Sequence, residues 1–429
     1  MRPPIDMSQK YDSKRKFPNQ ELAMKCIAAA REERKVIVRN SKVIHALDYM
    51  AEPRFEWNEL TLGKKLGQGG FSDVFEISSI NLNPNFVRAC TDADVSYESN
   101  TVNFGILGDE VRKDMAKRCR RKPKNECRYA VKLLTPDSIA DEDLFRKGAI
   151  DLTVEALFLS SIDHPNILKI RGIASAGIDS FKSKVGFFIV MDKLYDVLDK
   201  RVKKWAKEEK NAKSSIASKL RKIQKDPKLA QRLYTAFHIS SALLYLHEKN
   251  IVYRDLKPEN IGFDVRGTVK LFDFGLVKEI YPNYKKQEGG FYNLSGFTGT
   301  IRYMAPEVAQ YLPYNTSADV YSFGLLLWEL VSLKQPFDDL SAHQHSEKVV
   351  YGNHRPKLKY SWPTGIQNLV KKCWDHDKSR RPNLKEVATR LRAEIKSLGG
   401  GTIETTEFST SARDMSLTSL HTYGIAKQN

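Results

Sequence analysis

Two short motifs near the middle of the chain restrict its fold and chemistry more than any other feature. The first is YRDLKPEN at residues 253–260, and the second is LFDFG at residues 271–275. Asp255 and Asn260 are five residues apart, and Asp273 follows Asp255 by 18 residues. A hairpin between the motifs would bring the three side chains together. The alternative interpretation is two unrelated polar turns.

The oxygen atoms in these motifs predict a magnesium site. Asp273 and Asn260 carry a carboxylate and an amide oxygen, and Mg²⁺ prefers oxygen ligands while keeping several waters and binding substrate phosphates. Asp255 would then be left to accept a proton.

A glycine-rich segment, LGQGGFSDV, lies at residues 66–74. Glycine allows the backbone to approach phosphate groups closely. An ordinary glycine-rich hairpin is the competing interpretation. A dinucleotide-binding loop would need a helix after the glycines, whereas VFEI at residues 74–77 favours a strand.

Two charged residues lie on predicted elements downstream of the glycines. Lys132 ends the apolar run YAVK, within a strand predicted over residues 129–134, and Glu155 lies on a helix predicted over residues 151–162. Considered alone, Lys132 would be a surface lysine with a buried stem, and Glu155 a solvated helix acid.

Together these segments resemble the eukaryotic protein kinase family over about residues 57–398, most closely its tyrosine-kinase-like branch. The resemblance implies a serine/threonine protein kinase that uses ATP and Mg²⁺ to phosphorylate a protein substrate. Two positions depart from the family pattern. Ser72 stands at the third glycine of the loop. Tyr253 replaces the more common histidine but keeps an aromatic ring to pack on Phe274.

The resemblance also implies roles for individual residues. Lys132 would contact the α- and β-phosphates, with Glu155 as its partner. Asp255 would be the catalytic aspartate, and Lys257 would steady the γ-phosphate. Thr300 would contact both Asp255 and Lys257. Asn260 and Asp273 match the metal ligands, and the predicted nucleotide contacts besides Lys132 are Leu66, Gly67, Gly69, Val74, Ala130, Met191, Asp192 and Leu194.

Three further contacts follow from the same resemblance. Glu307 and Arg381 would form a structural ion pair, and Asp319 would hold the catalytic loop, residues 253–260. Arg254, beside Asp255, needs an anion. A phosphate of about −1.5 to −2 charges could supply it from the activation segment, whose substrate-facing end matches residues 298–307. The candidates are Tyr292, Ser295 and Thr298, to be phosphorylated by an upstream kinase, and the alternative is that these hydroxyls stay unmodified.

The order of predicted strands and helices indicates an α+β class. We expect a bilobal protein kinase fold with a small antiparallel β-sheet N-lobe carrying one main helix, and a larger, mostly helical C-lobe. The predicted divisions are a basic extension at 1–54 with a helix at 20–34, an N-lobe at 55–195, a C-lobe at 196–398, a disordered Ser/Thr-rich tail at 399–429, and insertions at about 81–127 and 200–228.

The net charge of +18 comes mostly from residues 111–128 and 199–228, which carry excesses of seven and eight positive charges. Such charge raises the possibility of nucleic-acid or membrane-surface binding. The basic run at residues 120–124 lacks interleaved aromatic residues and a recognition fold, so solvated basic loops are favoured, with docking to an acidic partner or anionic lipid left open.

The remaining composition predicts the cellular setting. Five cysteines without a C-x-x-C pair indicate reduced thiols, and we expect a cytoplasmic protein that could also enter the nucleus. The N-terminus lacks the apolar core of a secretory signal, and no run of about 18 apolar residues predicts a membrane span.

Two other functions compete with an active serine/threonine kinase. A pseudokinase scaffold is disfavoured because Lys132, Asp255 and Asp273 are all present. A tyrosine-specific kinase is disfavoured by Lys257 and Thr300.

Overall fold

A β-sheet region followed by a largely helical region makes up the protein, which confirms the predicted α+β class. The structure is a computed structural model that describes residues 17–84, 101–121, 125–213, 226–281 and 283–399. The predicted disordered tail lies outside the described residues, apart from its first residue.

Six strands form the main sheet in the order β1-β7-β8-β6-β3-β2, with β1 parallel to β7 and the other neighbours antiparallel. Smaller sheets are formed by β4 with β5, by β10 with β13, and by β12, β11 and β9. The strands are β1 Arg54–Phe55, β2 Leu60–Gln68, β3 Ser72–Ile80, β4 Arg120–Arg121, β5 Glu126–Cys127, β6 Tyr129–Leu134, β7 Ile170–Ala174, β8 Phe188–Asp192, β9 Asp196–Val197, β10 Ile251–Val252, β11 Ile261–Phe263, β12 Val269–Leu271 and β13 Lys278–Glu279.

Helices connect the strands and dominate after residue 226. The described α-helices are Gln20–Asn40, Ala46–Ala51, Thr101–Lys117, Pro136–Ala140, Glu142–Ser161, Leu198–Lys213, Pro227–Glu248, Pro306–Ala309, Ser317–Ser332, Ala342–His345, Thr364–Cys373 and Leu384–Ser397. Short 3-10 turns occur at Trp57–Glu59, Gly177–Lys182, Pro258–Asn260, Glu288–Gly290 and Lys378–Arg380, and a π-helical turn at Ser346–Tyr351.

The helix Glu142–Ser161, here the Glu155 helix, begins nine residues before its predicted start. The Asp141 side chain accepts a hydrogen bond from the Leu144 N–H at 2.9 Å, which satisfies a free amide of the first turn. Leu152, Ala156 and Leu159 are buried along the helix. The sheet and neighbouring helices therefore hold the face that carries Glu155.

The helix Gln20–Asn40, here the N-terminal helix, confirms the prediction over 20–34 and continues for six more residues. Asn19 caps it by accepting hydrogen bonds from the backbone of Glu21 and Leu22. Its buried side includes Ala23, Ile27 and Ala30, and it packs on the Glu155 helix. The predicted extension therefore contributes to the core.

Both predicted insertions contain regular structure. The first holds the helix Thr101–Lys117, whose Arg112 forms a buried ion pair with Glu59, and the β4–β5 hairpin. The second begins within the helix Leu198–Lys213, and its residues 214–225 lie outside the described part. The boundaries of both insertions stay predictions.

The helix Ser317–Ser332 forms the centre of the second half. Leu325, Leu326, Leu327 and Leu330 are fully buried, as expected for an apolar run inside a domain. Within the described residues, no helix is both long enough and apolar enough to cross a bilayer.

Candidate active site

Lys132 joins the sheet to the second motif. It lies on β6, and its Nζ is 2.6 Å from Glu155 Oε2 and 3.0 Å from Asp273 Oδ1. Burial tends to lower the pKa of Lys132, but the charges of Asp273 and Glu155 outweigh it and raise the pKa. The charge of Lys132 in turn lowers the pKa of Asp273. A protonated lysine therefore faces an ionised Asp273 at neutral pH.

Asp255 is oriented by hydrogen bonds to both of its carboxylate oxygens. Its Oδ1 accepts from the backbone N–H and the hydroxyl of Thr300, each at 2.8 Å. Its Oδ2 accepts from Lys257 Nζ at 2.7 Å and from Asn260 Nδ2 at 2.9 Å. Lys257 also donates to the Thr300 hydroxyl at 2.7 Å, so the predicted contact of Thr300 with both residues is confirmed.

Asp319 holds the backbone of the catalytic loop. Its two carboxylate oxygens accept from the Tyr253 and Arg254 N–H groups at 2.8 and 2.9 Å. The Tyr253 ring lies edge-on to Phe274 at 5.4 Å, so tyrosine makes the expected apolar contact. Its hydroxyl also donates to the Phe272 carbonyl, which the sequence did not indicate.

Backbone strain is concentrated at the same place. Arg254 and Asp273 have φ of 71° and 66°, in the left-handed region that side chains rarely adopt. Gly299 has φ of 100°, and a Cβ there would lie 2.3 Å from the Arg254 carbonyl oxygen. Only glycine fits this position, and its close approach brings Thr300 to Asp255. The sequence predicted this contact through the resemblance to the family motif that contains Thr300.

The donor set fits a hydrated magnesium ion. The Asn260 amide nitrogen is used by Asp255, which leaves the amide oxygen as a possible ligand. The Asp273 side chain is 43% exposed, so its carboxylate opens to the cleft. In the described part of the chain no three His, Cys, Asp or Glu side chains form a closed metal cage. Mg²⁺ needs only one or two carboxylates when phosphates and water complete its shell.

The register of the sheet gathers the predicted nucleotide contacts. Val74 lies opposite Lys132, and Ala130 lies opposite Met191. Because side chains alternate along a strand, these four residues share one face of the sheet. The Gly69 N–H donates to the Ser72 carbonyl at 2.7 Å, which closes the glycine-rich turn.

Gly67, near the start of that turn, stays accessible. A Cβ added at Gly67 would meet no atom within 4 Å in the described structure, and Leu66 is half-buried against the core. Leu194 packs against the core, and its side chain lies close to Gly262. Within the described residues its N–H donates to no protein acceptor, so it is free to bind the edge of a base.

Two ion pairs brace the segment around Asp192, and sequence reasoning missed both. Arg171 binds the Asp192 carboxylate with two hydrogen bonds of 2.8 Å. Lys193 Nζ lies 2.8 Å from Glu76 Oε2, and the Lys193 side chain is 8% exposed. These pairs depend on which strands are neighbours, and no local motif marks them.

The remaining predicted contacts involve the activation segment. Arg381 binds Glu307 with hydrogen bonds of 2.6 and 2.9 Å, which confirms the predicted ion pair. The Arg254 guanidinium donates to the Leu276 carbonyl at 2.5 Å and to the Ser295 hydroxyl at 2.6 Å. Among the described residues it has no carboxylate partner.

Comparison with known families agrees with this geometry. A family model described as protein tyrosine and serine/threonine kinase matches residues 103–391. The chain belongs to the protein kinase family. This chain therefore has the protein kinase fold, and the family is one of ATP-binding transferases.

Relatives of this kinase carry several specificities. It is 28% identical to the serine/threonine-protein kinase STY17 of Arabidopsis thaliana over 63% of this chain and 41% of that protein. It is 38% identical to the dual specificity protein kinase shkB of Dictyostelium discoideum over 37% of this chain and 24% of that protein. It is 29% identical to the tyrosine-protein kinase Fer of Rattus norvegicus over 60% of this chain and 28% of that protein. The chain thus spans less than half the length of these relatives, and the likeness to the STY kinases agrees with the tyrosine-kinase-like branch.

Proposed function

We propose that this kinase is catalytically active and transfers the γ-phosphoryl group of ATP to a serine or threonine hydroxyl of a protein. The observation that carries the proposal is the joint contact of Lys257 and Thr300 with Asp255. It fixes both oxygens of the acid that would receive the substrate proton. The presence of Lys132 and Asp273 in the same site disfavours a pseudokinase.

Asp255 would align the substrate hydroxyl and take its proton. A bond forms between the hydroxyl oxygen and the γ-phosphorus, the bond from the γ-phosphorus to the bridging oxygen breaks, and ADP leaves. Lys257 would offset negative charge on the transferred group, and Lys132 would hold the other phosphates. Positioning and charge stabilisation supply most of the rate enhancement in such transfers.

Asp273 and Asn260 would hold Mg²⁺, which supplies positive charge to the phosphate oxygens. The half-exposed carboxylate of Asp273 and the free amide oxygen of Asn260 support this assignment. Val74, Ala130 and Met191 would form the apolar sides of the adenine site, as most nucleotide pockets are apolar.

Removal of two site residues tests catalysis. We expect Asp273→Ala and Lys132→Met to lower phosphate transfer from ATP at least a hundredfold, while circular dichroism still reports a folded protein. Full activity of purified Asp273→Ala would overturn the proposal. A folded wild type that binds ATP but transfers no phosphate would favour the pseudokinase.

A peptide library with serine, threonine or tyrosine as the only acceptor tests the hydroxyl specificity. We expect incorporation into serine and threonine peptides at least tenfold above tyrosine peptides. A preference for tyrosine would show that the Lys257–Thr300 contact does not indicate serine/threonine specificity.

A cytoplasmic location is part of the same proposal. The four cysteines in the described residues, Cys26, Cys119, Cys127 and Cys373, are buried free thiols, as expected in a reducing compartment.

A further inference from the structure

The N-terminal helix and the turn after it contact two parts of the chain that carry site residues. The helix packs on the Glu155 helix through Ala23, Ile27 and Ala30. Near its middle, Arg31 forms an ion pair of 2.5 Å with Asp179 in the turn Gly177–Lys182. The N-terminal helix is thus fixed along the outer side of the element that presents Glu155 to Lys132.

The turn after the helix reaches the strand that follows the LFDFG motif. Ser41 Oγ donates to Glu279 Oε2, and the Lys42 N–H donates to Glu279 Oε1 at 3.1 Å. Ser41 Oγ also accepts from the N–H groups of Val43 and Ile44 at 2.9 and 2.7 Å, which fixes the hydroxyl. Within the described residues, the hydrogen bonds to the Glu279 carboxylate come from Ser41 and Lys42.

Glu279 is 2% exposed, so its carboxylate depends on those donors. A buried carboxylate that loses its hydrogen bonds is destabilised strongly, because water does not replace them. Glu33 adds a longer ion pair of 3.8 Å to the neighbouring Lys278.

The position of Glu279 links these contacts to the active site. Glu279 pairs with Ile251 across the β13–β10 ladder, and Val252 pairs with Lys278. β10 ends directly before Tyr253 and the catalytic loop, while β13 begins three residues after Gly275. A shift of β13 would therefore move the backbone that follows Asp273. Because β13 pairs with β10, it would also move the backbone that precedes Asp255.

We propose that residues 20–44 are a positioning element for catalysis, with the Ser41–Glu279 contact as its key interaction. The N-terminal helix holds Glu155 toward Lys132, while the Ser41 turn holds β13 and its partner β10, the strands that follow Asp273 and precede Asp255. Ser41 and Glu279 are positioning residues and touch no reacting atom. The inference rests on the proposed phosphotransfer, because its main readout is the rate of that reaction.

A set of point variants in the full chain tests this role. Ser41→Ala removes the hydroxyl that donates to Glu279, and Ser41→Thr restores a hydroxyl. Lys42→Ala is the matched control, because in the described part of the chain the contact of Lys42 with Glu279 comes from its backbone N–H, which alanine keeps. We expect Ser41→Ala to lower kcat about five- to twentyfold, while Ser41→Thr and Lys42→Ala stay within about twofold of wild type.

The measurement separates positioning from folding. kcat is expressed per molecule able to bind Mg-ADP, counted by equilibrium titration of each variant. A purely structural role would reduce the number of binding molecules and leave this kcat unchanged. An unchanged kcat for Ser41→Ala, or an equal loss in Lys42→Ala, would overturn the proposal.

Hydrogen–deuterium exchange gives a readout that does not need activity. We expect Ser41→Ala to speed amide exchange in residues 250–255 and 276–281 at least threefold relative to Lys42→Ala. Equal exchange in the two variants would overturn the positioning role. An inactive wild type with this exchange difference would instead contradict the proposed phosphotransfer and leave the linkage supported.

Discussion

At the scale of single residues, Thr300 is the part of the site most open to a clean test. Its hydroxyl bridges Lys257 and Asp255, while its backbone N–H separately donates to Asp255. Thr300→Ala removes only the bridge, because the backbone bond stays. We expect kcat to fall about ten- to a hundredfold with little change in KM for ATP, since a hydrogen bond to a charged group contributes about 1.5–3 kcal/mol. Steady-state kinetics on a peptide substrate measures both constants.

Thr300→Ser is the control for this prediction, because it keeps the hydroxyl. We expect it to retain at least half of the wild-type kcat. Equal kcat values for Thr300→Ala and wild type would show that the bridge does not orient Asp255.

Glu329 makes stability depend on pH. Burial raises the pKa of Glu329 to about 7. It outweighs the hydrogen bond that Glu329 accepts from the Tyr303 hydroxyl at 2.6 Å, which lowers the pKa. Since the unfolded chain has a carboxyl pKa of about 4.3, the native state binds more protons between these values. The contribution of Glu329 to stability is therefore full below about pH 4.3 and is lost as pH rises through 7.

Glu329→Gln should remove this dependence, because the amide stays neutral. We expect the Tm of wild type, relative to Glu329→Gln, to fall between pH 5 and pH 8. Thermal unfolding at several pH values provides the comparison. Parallel Tm profiles for the two proteins would contradict the raised pKa.

At the scale of elements, local sequence patterns predicted the strands, helices and loop contacts that depend on residues close together in the chain. The strand predicted over residues 129–134 matches β6 in full, because its apolar content is a local feature of the sequence. The Glu155 helix was predicted too short, since the capping contact of Asp141 lies outside its apolar pattern. The predicted contacts of Asp319 and Thr300 came from family motifs, whose spacing fixes the loop around Asp255.

Contacts between distant elements were beyond the reach of local patterns. The Lys193–Glu76 pair depends on the arrangement of β3, β6 and β8, and the Glu279 contact depends on where the N-terminal helix packs. Lys193, Glu76 and Glu279 lie in no recognisable sequence motif, and charged residues are common on protein surfaces. Only the tertiary arrangement distinguishes these buried charges from solvated ones.

The activation segment is the element where regulation is expected. Among the three predicted phosphorylation sites, Ser295 contacts Arg254 directly, at 2.6 Å. The Thr298 hydroxyl instead donates to the carbonyls of Ser295 and Gly296. A phosphate on Ser295 would give the guanidinium a charged partner. We expect Ser295→Ala to lower kcat at least fivefold, with Thr298→Ala as the matched control.

Mass spectrometry of active enzyme tests the modification itself. We expect phosphate on Ser295, and phosphatase treatment should reduce the wild-type kcat to that of Ser295→Ala. Active enzyme with an unmodified segment would contradict this switch.

At the scale of the whole molecule, the site draws on both halves of the chain. Lys132 and Glu155 come from the sheet region, whereas Asp255, Asn260 and Asp273 come from the helical region, between the helices Pro227–Glu248 and Pro306–Ala309. The direct contact that joins them is Lys132 with Asp273. Because Lys132 would contact the ATP phosphates and Asp273 would hold Mg²⁺, Mg-ATP would bind residues from both halves at once.

Nucleotide binding should therefore stabilise the whole fold in a manner that requires magnesium. A ligand at a hundred times its Kd adds about 2.7 kcal/mol to the free energy of unfolding. We expect Mg-ATP to raise the Tm by a few degrees, and an excess of EDTA to remove most of that increase.

Asp273→Ala should lose the magnesium-dependent part of the Tm increase, because it lacks the carboxylate that would hold the ion. Lys25→Ala, on the exposed surface of the N-terminal helix, is the control that should behave as wild type. An equal Tm increase with and without magnesium in wild type would mean that the ATP phosphates bind without help from Asp273 and Asn260.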